Sequence, residues 1–428
     1  MMTNMRQIPG LKLTNHFFDC PLDYSEPDGD KIQVFVREVV APSKQSADLP
    51  YLLFLQGGPG HPSPRPEDNG GWLNRALQEF RVLFLDQRGT GLSTPLHFQT
   101  LAGYSGQEAA DYLMHFRADS IVKDAELIRK QLLGEDVKWS LLGQSYGGFC
   151  ISTYLSFAPE GVHEAIFTGG LPPIGQTVDD VYRATYKRVL EQNRRFYARY
   201  PEDIARVKEV VDYLTHNEVK TASGGILTVR RFQQLGLMLG GGHGHETLHY
   251  MLEEAFVDAR SGKELNFTFL SKVEAQQSFE TNPIFALLHE AVYCEGDVSN
   301  WSAERVMAEF EQFEATADHP FLFVGEMIYS WMFDDYVGLQ SLKDAAEILA
   351  QFSDWAPLYN VQQLRKNTVP CVAAVYYDDM YVEREFSEMT GNMIGAKMWI
   401  TNEYNHSGLR SSGEKVLDHL LKMLRGEL

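Results

Sequence analysis

Cysteine is scarce in this chain of 428 residues, which contains only four. They are Cys20, Cys150, Cys294 and Cys371, and no two of them form a C-x-x-C pair. Thiols scattered in this way are typical of reduced, mostly buried cysteines in the cytoplasm. None of them lies in a recognisable motif, so we expect no catalytic cysteine.

Basic residues and long apolar runs are also in short supply. Lysine and arginine total 38 against 58 aspartates and glutamates, a net charge of -20. This charge argues against binding nucleic acid or an anionic membrane through bulk electrostatics. No run approaches the roughly 18 apolar residues of a membrane span, and no apolar stretch follows Met1, so we expect no signal peptide. We therefore expect a cytoplasmic globular protein.

Short apolar runs alternate with helical stretches in the first part of the chain and again near its end. Such runs are typical of buried strands in a parallel sheet. The predicted strands lie at 31–40, 50–55, 80–85, 137–142, 164–168, 369–375 and 397–400. Helices are predicted at 120–133 and 413–425, and the alternation indicates an α/β fold with a mostly parallel, doubly wound sheet.

The middle of the chain has a different pattern of predicted secondary structure. From about residue 175 to about residue 355, strand-like runs are rare and amphipathic helical stretches such as 181–200 and 246–256 dominate. We interpret this segment as a helical cap inserted into the α/β core. The predicted organisation is a first core segment at 1–174, a cap at 175–355 and a second core segment at 356–428.

Ser145 is the most informative residue of the chain. It lies in the pattern Gly143-x-Ser145-x-Gly147, between the strand at 137–142 and a predicted helix at 149–157. A serine on a sharp strand-to-helix turn projects its hydroxyl above the sheet, and small neighbours allow the turn to close. The helix dipole also favours negative charge beside the serine. The pattern therefore predicts a nucleophile; a plain Gly-Ser turn is the alternative.

A serine nucleophile requires a base, and the base requires an acid that orients it. With this kind of turn, the acid and then the histidine follow on loops after later strands. Asp378 and Asp379 directly follow the strand at 369–375, and His406 follows the strand at 397–400. Of the 13 histidines, only His406 has this placement. Placement alone leaves both aspartates open as the acid.

The developing oxyanion requires backbone N–H groups that are already in position. One is that of Tyr146, the residue after the predicted nucleophile. The other is expected in the loop after an early core strand, which here contains Gly57 and Gly58. We favour Gly58.

Four segments of the chain together resemble the proline iminopeptidases (prolyl aminopeptidases) of the α/β-hydrolase fold. They are Gln-Gly-Gly-Pro-Gly at 56–60, Asp-Gln-Arg-Gly-Thr-Gly-Leu-Ser at 86–93, Gly-Gln-Ser-Tyr-Gly-Gly at 143–148 and His-Ser-Gly at 406–408. The family places its acid nine residues after the proline that opens the strand; counted from Pro370, this position is Asp379. The family usually has histidine where this chain has Gln56, although its larger members also carry glutamine there.

The resemblance implies a serine aminopeptidase that releases N-terminal proline from peptides through an acyl-enzyme, with no metal or organic cofactor. The long cap is similar to that of a larger subgroup, through 288–293 and 325–333. A positively charged imino group must then be bound near the serine, and carboxylates of the cap are suitable partners. We expect Glu290 and Glu326 to have this role, because both lie in apolar, aromatic surroundings. Pairing or capping within the cap is the alternative, and the sequence carries no signal for the oligomeric state.

Three other functions compete with this interpretation. A carboxylesterase or other small-molecule hydrolase could use the same core. A non-catalytic binding module of the same fold is disfavoured by the intact serine, aspartate and histidine positions. A zinc peptidase is suggested by His-Glu-Thr-Leu-His at 245–249, an H-E-x-x-H pattern. No third ligand is evident at a familiar spacing, so we expect no metal.

Overall fold

A nine-stranded sheet forms the centre of the protein. The computed structural model describes residues 4–260, 262–314 and 319–428. The strands are β1 (Asn4–Ile8), β2 (Leu11–Pro21), β3 (Lys31–Val40), β4 (Tyr51–Leu55), β5 (Arg81–Leu85), β6 (Trp139–Gln144), β7 (Val162–Thr168), β8 (Phe256–Ala259), β9 (Gly262–Leu265), β10 (Cys371–Tyr376) and β11 (Lys397–Thr401).

The sheet is mostly parallel, as the sequence predicts. Strands β5, β4, β6, β7, β10 and β11 pair in parallel. Strands β1, β2 and β3 form an antiparallel edge that joins the parallel part through β3 and β5. The carboxyl ends of the parallel strands meet at one edge of the sheet, and in open α/β sheets this edge carries the ligand site. The loops after β4, β6, β10 and β11 carry the predicted site residues.

Seventeen α-helices surround the sheet in the described part of the chain. They are α1 (Gly71–Ala76), α2 (Gly106–Leu113), α3 (Ala118–Leu133), α4 (Tyr146–Phe157), α5 (Val178–Arg199), α6 (Asp203–His216), α7 (Val229–Gln233), α8 (Gly244–Glu253), α9 (Phe267–Ala275), α10 (Pro283–Leu288), α11 (Ser302–Met307), α12 (Met332–Asp335), α13 (Lys343–Gln351), α14 (Val361–Leu364), α15 (Arg384–Ile394), α16 (Gly408–Ser411) and α17 (Gly413–Arg425).

Both faces of the sheet are covered by helices, which confirms the predicted fold class. Leu73 of α1 and Leu77, the residue after its end, pack with Val416 and Leu420 of α17 in a core on one face. The other face belongs to a larger core that includes α3 and α4 and continues into the helices after β7. Strand β6 is buried along its whole length, because parallel strands covered on both faces have no solvent side.

Helices also dominate the segment between β7 and β10, where the sequence predicts a cap. The long helix α5 opens this segment, and α8 follows with the small antiparallel hairpin β8–β9. The predicted helix at 246–256 is therefore too long at its end: α8 stops at Glu253, and Phe256 pairs with Leu265. The boundaries 175 and 355 stay predictions. Among residues 4–260, 262–314 and 319–428, no helix has the length and apolar character that crossing a membrane requires.

Candidate active site

Ser145 lies on the turn between β6 and α4, with φ 54° and ψ -126°. A residue other than glycine adopts such a backbone conformation only when its surroundings impose it. The backbone N–H of Ser145 donates to the carbonyl oxygen of Thr168 at 3.0 Å, and the N–H of Gly148 donates to the carbonyl oxygen of Ser145 at 2.7 Å. Helix α4 begins at Tyr146, so the serine sits directly at the helix N-terminus.

The glycines around Ser145 are needed because backbone passes close to each of them. A Cβ atom on Gly143 would lie 2.6 Å from the carbonyl carbon of Gly147. A Cβ atom on Gly147 would overlap the carbonyl oxygen of Leu55, and one on Gly148 would overlap that of Gly170. Larger residues at these positions would push the turn away from β4 and from the loop after β7. The spacing of the motif thus has a packing cause in this fold.

The loop after β4 lies directly against the serine. A Cβ atom on Gly57 would lie 2.8 Å from the Cβ atom of Ser145. The N–H of Gly57 already donates to Oε1 of Gln56 at 3.1 Å. This hydrogen bond leaves the next N–H, that of Gly58, as the better candidate for an oxyanion donor. Tyr146 supplies another candidate, because the first N–H groups of a helix have no partner within the helix.

His406 and Asp379 form a buried hydrogen-bonded pair. Nδ1 of His406 lies 2.7 Å from Oδ2 of Asp379, and the residues are 4% and 2% exposed. The other carboxylate oxygen, Oδ1, accepts the N–H groups of Tyr381 at 2.9 Å and Val382 at 3.1 Å. The carboxylate is therefore oriented from its own loop, and it orients the imidazole in turn.

Asp378 points away from the histidine. Its two carboxylate oxygens lie 3.0 and 2.9 Å from the guanidinium nitrogens of Arg195 in α5. Its carbonyl oxygen accepts a hydrogen bond from Nε2 of Gln192 at 3.2 Å. The placement in the sequence left both aspartates as candidates for the acid. Of the two, only Asp379 contacts His406 in this structure.

The histidine loop is attached to the serine turn through neighbouring residues. Nε2 of Gln144, the residue before Ser145, donates to the carbonyl oxygen of His406 at 3.2 Å. A Cβ atom on Gly169 would lie 3.2 Å from Nδ1 of His406, and one on Gly170 would overlap the carbonyl oxygen of Ser145. The end of β7 therefore borders both residues, and the fold brings them to the same site.

Glu290, one of the two predicted amine-binding residues, is buried and already bonded. Its Oε1 accepts the N–H of Ala303 at 2.9 Å, and its Oε2 accepts the N–H of Ser302 at 3.1 Å. These N–H groups begin α11, so the carboxylate caps that helix. Burial raises the pKa of the Glu290 carboxyl, and the hydrogen bond from Ala303 opposes this rise.

Glu326, the other predicted amine-binding residue, is partly buried and lies beside a histidine. Its Oε2 is 3.6 Å from Nε2 of the buried His289, and its side chain is 16% exposed. Burial raises the pKa of Tyr381, and the negative charge of Glu326 raises it further. Burial lowers the pKa of His61, which Glu326 partly opposes. Glu326 is thus electrostatically coupled to the loop that carries Gly58 and to Tyr381, whose ring contacts His406 at 4.8 Å between centroids.

The H-E-x-x-H segment is held by protein partners. Nε2 of His245 lies 3.2 Å from Oε1 of Gln192. Nδ1 of His249 lies 2.8 Å from Oδ2 of the buried Asp203, and Glu246 pairs with Arg199. Within the described residues, no group of three or more histidine, cysteine, aspartate or glutamate side chains could hold a metal ion.

Tyr381 contacts both Asp379 and His406, although nothing in the sequence predicts a role for it. Its N–H donates to Asp379, and its ring meets that of His406 at an interplanar angle of 82°. Tyr381 belongs to no motif, and its position two residues after the acid is the only signal in the sequence. The contact depends on the loop after β10 folding back towards the loop after β11.

The fold and the site define an α/β hydrolase. A sequence profile of the alpha/beta hydrolase fold matches residues 50–259. The chain is 50% identical over 420 residues to a proline iminopeptidase of Aeromonas sobria, covering 98% of both proteins. It is 35% identical over 425 residues to the proline iminopeptidase aneH of Aspergillus aculeatus, covering 97% of this chain and 94% of that protein.

Among solved structures, a proline iminopeptidase of Mycobacterium smegmatis aligns at 14% identity with a TM-score of 0.43, covering 96% of this chain and 98% of that one. The identification rests on the two full-length sequence relatives. The chain belongs to the proline iminopeptidase family of α/β hydrolases, which confirms the resemblance found in its motifs.

Proposed function

We propose that this enzyme is a serine aminopeptidase that releases N-terminal proline from peptides. The main structural support for this proposal is the 2.7 Å hydrogen bond between His406 and Asp379, which forms beside the strained turn of Ser145. Extensive identity to two proline iminopeptidases supports proline as the residue released. A cytoplasmic location fits the four free cysteines, all of which are buried.

The geometry supports acyl transfer by a Ser-His-Asp triad. In the first step, Oγ of Ser145 attacks the carbonyl carbon of the substrate proline, and Nε2 of His406 takes the hydroxyl proton. Asp379 accepts a hydrogen bond from the Nδ1–H group of His406, so the ring presents Nε2 to the serine and its cationic form is stabilised. The N–H groups of Tyr146 and Gly58 are the proposed donors to the oxyanion.

The second half of the reaction reverses these proton movements. His406 gives its proton to the leaving nitrogen as the scissile C–N bond breaks, which leaves a prolyl ester on Ser145. Water then attacks this ester, with His406 again as the base; His406 returns the proton to Oγ of Ser145 as the ester bond breaks, and free proline leaves. Each of these steps uses side chains and backbone groups of this chain.

Recognition of the substrate imino group is assigned to Glu326 in this proposal. Glu290 was an equal candidate on sequence grounds, but both of its oxygens accept backbone N–H groups of α11. The charge of Glu326 acts on the site through Tyr381 and His61. A carboxylate in this position favours a charged imino group and disfavours peptides whose N-terminus is acylated.

A panel of chromogenic substrates tests the proposal. We expect hydrolysis of a prolyl amide, little hydrolysis of its N-acetylated form, and loss of both by Ser145→Ala with an unchanged circular dichroism spectrum. Activity on simple acyl esters together with no activity on prolyl amides would favour the carboxylesterase alternative. A wild-type protein that fails to react with a serine-directed fluorophosphonate would favour the binding module.

A further inference from the structure

A short stretch of the chain between β7 and β10 contacts the loop that carries the proposed base. The N–H of His406 donates to the carbonyl oxygen of Gly240 at 3.3 Å. Beside it, Nδ2 of Asn405 donates to the carbonyl oxygen of Gly241 at 3.3 Å. We call residues 237–241 the anchor segment. Two consecutive residues of the histidine loop are thus tied to two consecutive carbonyl groups of this segment.

The same segment contacts the loop that carries the proposed acid, through Tyr381. The hydroxyl of Tyr381 donates to the carbonyl oxygen of Leu237. The N–H of Tyr381 donates to Oδ1 of Asp379 at 2.9 Å, and its ring packs edge-on against His406. One side chain therefore contacts the acid, the base and the anchor segment together.

The close approach requires glycine at position 240. A Cβ atom on Gly240 would lie 2.6 Å from the hydroxyl oxygen of Tyr381 and 2.7 Å from Cγ of Met380. The ring of Tyr381 also contacts His406, so a methyl group at position 240 that displaces this ring would disturb the contact with the imidazole. Gly242, two positions further on, has no such neighbour: its added Cβ would lie 3.8 Å from that of Ser411.

We infer that the anchor segment sets the relative position of Asp379 and His406, with Gly240 and Tyr381 as positioning residues. This inference rests on the proposed triad. The acid and the base lie on separate loops, after β10 and β11, and a triad tolerates little freedom in their relative position. Hydrogen bonds from both loops to one turn, the 3₁₀ segment Gln234–Gly240, remove that freedom. The helical segment between β7 and β10 is then part of the catalytic framework.

Gly240→Ala tests the inference, with Gly242→Ala as its matched control. We expect Gly240→Ala to lower kcat for a prolyl amide by about 100-fold, the size of effect that follows from misplacing a catalytic group by about 1 Å. KM should change little, because amine binding by Glu326 does not depend on the histidine. Gly242→Ala should retain the wild-type kcat and KM.

Tyr381→Phe provides a second variant that keeps the ring and removes only the hydroxyl. The loss of one hydrogen bond to Leu237 should lower kcat by about five-fold. Tyr381→Leu also removes the edge-on contact with His406, and we expect a larger loss. This variant series remains informative if Gly240→Ala does not fold.

The rate of reaction with a fluorophosphonate distinguishes this inference from the proposed function. That reaction requires Ser145 and His406 to be correctly positioned relative to each other, but it needs no proline. It therefore reports on the triad even if prolyl amides are not substrates. We expect Gly240→Ala and Tyr381→Phe to slow labelling in proportion to kcat. The inference would be overturned if both variants had lower melting temperatures but wild-type labelling rates and wild-type kcat. The contacts would then have a structural role alone.

Discussion

Asp379 accepts a hydrogen bond from His406, whereas its neighbour Asp378 pairs with Arg195. Adjacent residues of a loop point in different directions, so only one of the two carboxylates can serve the imidazole. The placement of Asp378 and Asp379 in the sequence does not distinguish them, but a comparison of one variant at each position can.

We expect Asp379→Asn to lower kcat on the order of 10⁴-fold, because the amide no longer holds the imidazole in the required tautomer. Asp378→Asn is the matched control. It weakens a partly exposed ion pair worth at most about 1 kcal/mol, so kcat should stay within about five-fold of wild type. Steady-state kinetics on a prolyl amide check both. Equal losses in the two variants would contradict the assignment of Asp379.

Glu326→Gln should weaken substrate binding without harming the triad. Loss of a hydrogen bond to a charged group reduces kcat/KM for a prolyl amide by about 10- to 100-fold. The rate of fluorophosphonate labelling should remain that of wild type, since the reagent has no imino group. If labelling slows to the same extent as peptidase activity, Glu326 acts on the triad and does not bind the amine.

Glu290→Ala should act on stability. The change leaves the N–H groups of Ser302 and Ala303 at the start of α11 without their acceptor. A buried unsatisfied group costs about 1 to 3 kcal/mol, so the free energy of unfolding in urea should fall by at least about 2 kcal/mol. With the folded protein at low temperature, KM for the prolyl amide should stay near that of wild type. A large rise in KM at unchanged stability would restore Glu290 as an amine-binding residue.

His245 should make the protein less stable in acid. Burial lowers the pKa of His245 from 6.5 to about 4, so the folded state keeps the imidazole neutral. The unfolded chain takes up a proton as the pH falls through 6.5, so the stabilisation present above that pH is lost as the pH falls towards the folded pKa. Between pH 7 and pH 5 this amounts to about 2 kcal/mol.

His245→Asn removes this titration. Urea unfolding at both pH values should show the wild type losing about 2 kcal/mol more than the variant on acidification. The comparison within each protein cancels any loss that the variant suffers from its broken contact with Gln192. Parallel losses in the two proteins would show that His245 titrates normally in the folded state.

The core of the fold and the order of the proposed catalytic residues were predictable because they depend on local patterns. Apolar runs of strand length alternate with helical periods, and each run predicted at 50–55, 80–85 and 369–375 overlaps a strand. Gly143 and Gly147 flank Ser145 because the turn itself demands small residues. Constraints of this kind lie within a few residues of chain, so the sequence displays them directly.

Contacts between distant segments were beyond the sequence. The roles of Asp378 and Asp379 differ because Arg195 of α5 attracts one of them, 183 positions away. Gly240 belongs to no motif, and it comes close to Tyr381 only once the segment between β7 and β10 packs against the loop after β10.

The amino-acid pattern thus established the sharp turn at Ser145, the fold and the family, since short-range backbone geometry and periodic burial encode them. Long-range packing decides which carboxylate contacts the histidine, which glutamate is free of a helix cap, and what holds the histidine loop in place. Glu290 and Glu326 look alike in the sequence, and only folding gave one of them the N–H groups of α11.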